Sequence, residues 1–152
     1  MRWAGHELVG APVTTAYLPA TRTLTVGEEE LRVVSDDATD ARAVTADGRT
    51  FRLAKTGATV TRYAAECDGR RYHARRTGGG LRSKRREITD ARGRVVATTR
   101  GLPSGELEVA PAGGAEFTVD LAFISWALLL VDAPVRDLAD TLARSRNNER
   151  HG

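Results

Sequence analysis

Leu121-Ala-Phe-Ile-Ser-Trp-Ala-Leu-Leu-Leu-Val131 decides how this chain folds. Ten of the eleven residues are apolar, Ser125 is the exception, and Asp120 and Asp132 bracket the run. Leu and Ala dominate it and Gly and Pro are absent, which favours helix. The apolar residues occupy every face, so the helix must be surrounded on all sides. A bilayer is a poor surrounding. Eleven residues at about 1.5 Å each span roughly 17 Å, against about 30 Å of hydrocarbon. Extending the run takes in Asp120 or Asp132, at a cost of about 2.5–3.5 kcal/mol each. Protein is the better surrounding. Burying Leu121, Phe123, Ile124, Trp126, Leu128, Leu129, Leu130 and Val131 contributes roughly 12–24 kcal/mol as an upper bound. The Ser125 hydroxyl can return to the Leu121 carbonyl. A buried Trp126 indole needs an acceptor.

Upstream, alternating runs flank turn signals. Asp47-Gly48-Arg49 sits between residues 41–46 and 50–53, and Asp68-Gly69-Arg70 between residues 58–67 and 71–74. Gly93-Arg94 does the same with a longer turn, so Gly-Arg recurs at 48, 69 and 93, spaced 21 and then 24. Asp-Gly between alternating runs predicts type I′ hairpins, in which both central residues take positive φ. Lys55-Thr-Gly57, Gly78-Gly-Gly80 and Gly101-Leu-Pro-Ser-Gly105 read as loops. Residues 1–27 are weakly patterned, with short strands expected at 13–18 and 22–26 and a third at 31–35. Val44, Phe51, Leu53, Val60, Tyr72, Ile88 and Val96 are expected to face inward.

About nine to eleven short strands therefore precede one apolar helix. A meander this long must curl or close to hide its edges. The expected fold class is mainly β, an antiparallel meander closed or curled into a barrel around a buried helix at 120–132. Pro134 ends that helix near Asp132. Val135, Leu138, Ala139, Leu142 and Ala143 then share one face, which predicts an amphipathic outer helix at 134–143. Residues 1–143 form one domain, and 144–152 a polar, flexible tail.

With 152 residues, 41% hydrophobic and 28% charged, the chain suits a globular protein with a real core. The opening Met1-Arg-Trp-Ala-Gly-His-Glu7 holds no apolar run of signal-peptide type. Cys67 is the only cysteine, so no internal disulfide can form. A cytoplasmic protein, with peripheral membrane attachment as an option, is the expectation. Net charge is +3, and 21 of the 23 basic residues are Arg, a bias that a GC-rich genome also produces.

Strand hairpins punctuated by Asp47-Gly48-Arg49 and Asp68-Gly69-Arg70, followed by the apolar helix Leu121 to Val131, resemble the tubby-like superfamily. That group includes tubby C-terminal domains, LURP-one-related proteins and phospholipid scramblases. The resemblance spans roughly residues 31–132 and rests on element order. It implies a closed barrel threaded by a hydrophobic helix. Tubby domains bind phosphoinositides, scramblases are proposed to act on lipids, and many LURP-one-related members have no assigned activity. Polypeptide continues past this helix through Pro134, unlike members that end there. No functional residue carries over.

The strongest candidate site is basic. Arg70, Arg71, Arg75, Arg76, Arg82, Lys84, Arg85 and Arg86 lie within seventeen residues together with His73 and no acid. Such a hairpin can contact phosphates of anionic lipid headgroups, another phosphate-bearing ligand, or nucleic acid. Only Tyr63 and Tyr72 offer stacking platforms nearby, which disfavours single strands. The plainer reading is a solvated hairpin that uses charge to avoid edge pairing. Alternation would place Arg71, His73 and Arg75 on one face and Arg70, Tyr72 and Arg76 on the other.

The acidic stretch Glu28, Glu29, Glu30, Asp36, Asp37 and Asp40 lacks the spacing of a Ca²⁺ loop and reads as solvated turns. His6, His73 and His151 with one Cys give no zinc spacing. Cys67 could meet His73 across its hairpin, but an incidental thiol is the simpler reading. No phosphate loop, nucleophile elbow or metalloprotease motif is present. A non-catalytic binding protein without metal or cofactor is the expectation.

Overall fold

The protein is described here from a computed structural model, over residues 1–57, 62–78 and 84–133. The expected helix at 134–143, the tail at 144–152, Val60 and Arg82 lie outside the described residues.

Twelve strands run in order around a closed antiparallel barrel. They are β1 (Arg2–Ala4), β2 (Glu7–Val9), β3 (Thr15–Leu18), β4 (Thr23–Val26), β5 (Glu29–Asp37), β6 (Asp40–Val44), β7 (Thr50–Lys55), β8 (Arg62–Cys67), β9 (Arg70–Thr77), β10 (Arg85–Asp90), β11 (Val95–Gly101) and β12 (Leu107–Pro111). Closure comes from β1 on β12, with Arg2 opposite Glu108 and Trp3 opposite Leu107. An even number of strands is what lets a meander close antiparallel. The weakly patterned N-terminus thus holds four strands. Two of them, β1 and β2, are only three residues long, too short for periodicity to register.

The two Asp-Gly sites differ. At 68–69 both residues are left-handed, with Asp68 at φ 50° and Gly69 at φ 84°, as a type I′ turn requires. At 47–48 only Gly48 is, at φ 90°. There the Thr45 N–H donates to the Arg49 carbonyl at 3.0 Å and the Gly48 N–H to the Thr45 carbonyl at 3.1 Å. This is a longer loop closed by a left-handed glycine, which corrects the I′ expectation. The Thr45 hydroxyl, accepting from the Arg49 N–H at 2.9 Å, fixes it.

Helix α1 (Val119–Asp132) lies in the lumen. It packs against β4, β5, β7, β11 and β12, and bonds to β1, β9 and β10, which only a position inside the ring permits. Every residue from Asp120 to Leu128 is buried. Thr118 caps its start by accepting from the Leu121 N–H at 3.2 Å.

The wall makes room for the helix with small inward residues: Ala41, Ala43, Ala65, Ala74 and Ala97. Strand β6 therefore turns its alanines inward and leaves Val44 only half-buried, contrary to the expectation for Val44. Two large wall side chains meet helix aromatics, Phe51 against Phe123 at 5.7 Å and Tyr17 against Trp126 at 5.2 Å. The Trp3 indole donates to Ser125 Oγ at 3.0 Å, tying the closing strand to the helix. Ser125 in turn donates to the Ala122 carbonyl at 3.1 Å rather than to Leu121.

The outward positions of β6 to β10 carry Arg42, Arg52, Glu66, Arg71, Arg75 and Arg85. A lipid-facing barrel needs an apolar band there instead. Among the described residues no helix is long and apolar enough to cross a membrane.

Candidate functional site

The basic hairpin is split by the pleat. On β9 the inward residues are Tyr72, Ala74 and Arg76, with Arg70 at the same phase. On β10 they are Arg86 and Ile88. The inward cations serve the two ends of the helix.

At the N-terminal end, Arg70 grips Asp120 with two bonds, Nε to Oδ2 at 2.6 Å and Nη2 to Oδ1 at 2.9 Å. The Tyr72 hydroxyl donates to the same Oδ2 at 2.6 Å. Burial first, and then the bond to the Asp120 carboxylate, pushes the Tyr72 phenol well above its ordinary range.

At the C-terminal end, Arg86 is completely buried and binds Asp132 through Nε to Oδ2 at 2.8 Å and Nη2 to Oδ1 at 3.1 Å. Its guanidinium lies 5.2 Å from the Tyr63 ring centroid. Lys84 Nζ donates to the Asp132 carbonyl at 3.0 Å. The last turn of the helix holds no basic residue of its own, so strand β10 and the residue before it supply the cations a helix C-terminus favours. Gly101 makes this approach possible. A Cβ there would lie 3.2 Å from the Asp132 carbonyl oxygen and 3.1 Å from Lys84 Cδ.

Of the eight basic residues, Arg70 and Arg86 are therefore engaged with buried carboxylates, and Arg86 is out of reach of any external ligand. Lys84 and Arg76 stand at the C-terminal mouth of the barrel. Arg71, Arg75 and Arg85 face solvent. Arg62, not singled out from sequence, joins them, because β8 pairs with β9 in a register that sets it opposite Arg75. The signal was available: a two-residue turn at Asp68-Gly69 fixes that pairing.

Most outward arginines elsewhere are neutralised, Arg32 on β5 and Arg92 in the β10–β11 turn being the exceptions among the described residues. Arg42 and Arg52 share Asp40, Arg49 binds Glu29 and Asp47, Arg100 binds Glu108, and Arg2 binds Glu106. Among the described residues, Arg62, Arg71, Arg75 and Arg85 make no ion pair. Arg62, His73 and Arg75 line a shallow concavity of about 640 Å³ across β8 to β10, with Glu87 and Thr89 on its far side. A second cleft of about 410 Å³ opens beside the helix start, between Leu121, Ile124 and the β10–β11 turn.

Four of the six acids of the acidic stretch, Glu29, Asp36, Asp37 and Asp40, are engaged in turn bonds or ion pairs, and Glu28 and Glu30 are not, among the described residues. Asp37 accepts from Thr39, and Asp36 lies 3.8 Å from Arg22. Among the described residues no group of three or more His, Cys, Asp or Glu could hold a metal ion. Cys67 faces the lumen and His73 faces solvent, so the two cannot meet. Burial pushes the Cys67 thiol far above its ordinary range.

No family model, no curated protein and no solved structure matches this chain.

Proposed function

We propose that this protein is a non-catalytic binding module of tubby-like architecture whose β8–β10 face engages an anionic ligand, foremost the phosphate-bearing headgroups of a lipid surface. The observation that carries the reading is the distribution of unpaired charge. Most arginines on the rest of the outer wall have carboxylate partners, Arg32 on β5 excepted, whereas Arg62, Arg71, Arg75 and Arg85 lie together on three neighbouring strands with none among the described residues. Like charges opposite each other on neighbouring strands are destabilising, and Arg62 stands opposite Arg75. An anion seated there relieves that repulsion. Each arginine near an anionic surface contributes about 1 kcal/mol. The protein would then be cytoplasmic and peripheral to the membrane. The tubby-like assignment is supported by element order: sequential antiparallel strands, then one apolar helix inside the ring.

Nucleic acid is the weaker partner for this face. Tyr63 is buried and Tyr72 is bonded to Asp120, so neither offers a base a stacking surface.

Vesicle flotation tests the reading. Wild type should float with vesicles containing phosphatidylserine or phosphoinositides and not with pure phosphatidylcholine. Arg71/Arg75/Arg85→Gln should lose the interaction, while Arg42/Arg52→Gln, which removes paired charge, should keep it. Equal recovery of wild type and the triple variant rejects the reading. A salt-sensitive mobility shift with RNA or DNA, without flotation, favours the nucleic-acid alternative.

A further inference from the structure

We infer that the C-terminal mouth of the barrel holds a small oxyanion, a phosphate or a carboxylate, on Arg76 and Lys84. Two buried side-chain polar atoms lack a hydrogen-bond partner among the described residues, Arg76 Nε and Thr99 Oγ1. They belong to one inward row. Arg76 is opposite Arg86 on the β9–β10 pair, and Arg86 is opposite Thr99 on the β10–β11 pair. Buried donors of this kind are seldom left unmade, and each such instance points to a missing partner.

The charge balance says what kind of partner. Arg76, Lys84 and Arg86 bring three positive charges to one place. Against them, among the described residues, stand the Asp132 carboxylate and the helix C-terminus, about half a negative charge. Arg86 takes both carboxylate oxygens of Asp132. Arg76 Nη2 is left 3.9 Å from Oδ1, beyond hydrogen-bond range. Lys84 uses one of its three donors on the Asp132 carbonyl. Arg76 and Lys84 offer only donors and the Thr99 hydroxyl can donate as well, so the guest is an acceptor, and an anion also cancels the excess charge. The Arg76 side chain is 23% exposed and Lys84 is exposed, so the guest can enter from solvent.

The site is separate from the outer arginines, which lie on the other face of the same strands. The test is calorimetric titration with inorganic phosphate, repeated with acetate, on wild type and on Arg76→Gln, Lys84→Gln and Arg71/Arg75/Arg85→Gln. Wild type should bind one ion saturably. Arg76→Gln should weaken it by about tenfold or more, the loss of a charge-assisted hydrogen bond. The outer-face variant should bind phosphate as wild type does, which separates this inference from the membrane reading. Competition between inorganic phosphate and phosphatidic-acid vesicles assigns the anion to a headgroup, and its absence assigns it to a free ion. No saturable binding by wild type overturns the inference. So does unchanged affinity in Arg76→Gln with wild-type circular dichroism. If Arg76→Gln does not fold, unchanged affinity in the exposed Lys84→Gln overturns it equally.

Discussion

Arg86 on strand β10 and Asp132 at the end of the central helix form a completely buried two-bond ion pair, at 2.8 and 3.1 Å. Neither charge can be left alone there. Removing one partner of such a pair costs about 3–5 kcal/mol, because the other stays buried and uncompensated. Asp132→Leu and Arg86→Met should each lower the urea midpoint accordingly. The double variant should recover most of the loss, since well-packed apolar residues can replace a buried pair at little cost. A double variant as unstable as the sum of the singles would contradict this.

Tyr72 gives the alkaline limb of stability. Its phenol, desolvated and bonded to Asp120, ionises above the ordinary 10.0, and burial shifts Tyr63 the same way. A group with a raised folded pKa contributes stability that is present below the unfolded pKa and is lost as pH climbs past it. Unfolding free energy should therefore fall above about pH 10. In Tyr72→Phe that limb should be shallower. An identical alkaline slope in wild type and variant would show that the phenol is not linked to folding.

Ser125→Ala should destabilise by about 1–3 kcal/mol, the cost of leaving the Trp3 indole N–H buried without its acceptor. Thermal melts followed by circular dichroism read this directly. A neutral result would mean that the closing strand is not tied to the helix through this bond.

Cys67 should be inert to alkylation at neutral pH in the native protein, because its thiol is buried and its ionisation strongly disfavoured. It should label fully in denaturant. Rapid native labelling would place the thiol outside the lumen.

Much of this architecture was legible in order and composition. A helix apolar on every face demands a closed surround, and alternating runs about Asp68-Gly69 make hairpins. The alternation also separated Arg71 and Arg75 from Arg70 and Arg76 correctly. What stayed hidden depends on distant pairing. Asp120 and Asp132 read as the helix's brackets, yet they are the partners of Arg70 and Arg86 from residues 50 and 46 positions away. Nothing local announces such a pair. The inward alanines of β6 were equally unreadable, since Val44 is the more apolar choice until a helix occupies the lumen. The strands β1 and β2 are too short to carry a period, and their place is fixed by closure on β12 and by Trp3.

The enclosure of the helix is tested most directly by native-state hydrogen exchange resolved along residues 119–132. Its amides should exchange only through global unfolding, at the free energy measured by denaturant, together with the central strands β7 to β11. Exchange of Leu121 to Leu128 well ahead of global unfolding would mean that the wall does not enclose the helix, and would contradict the account.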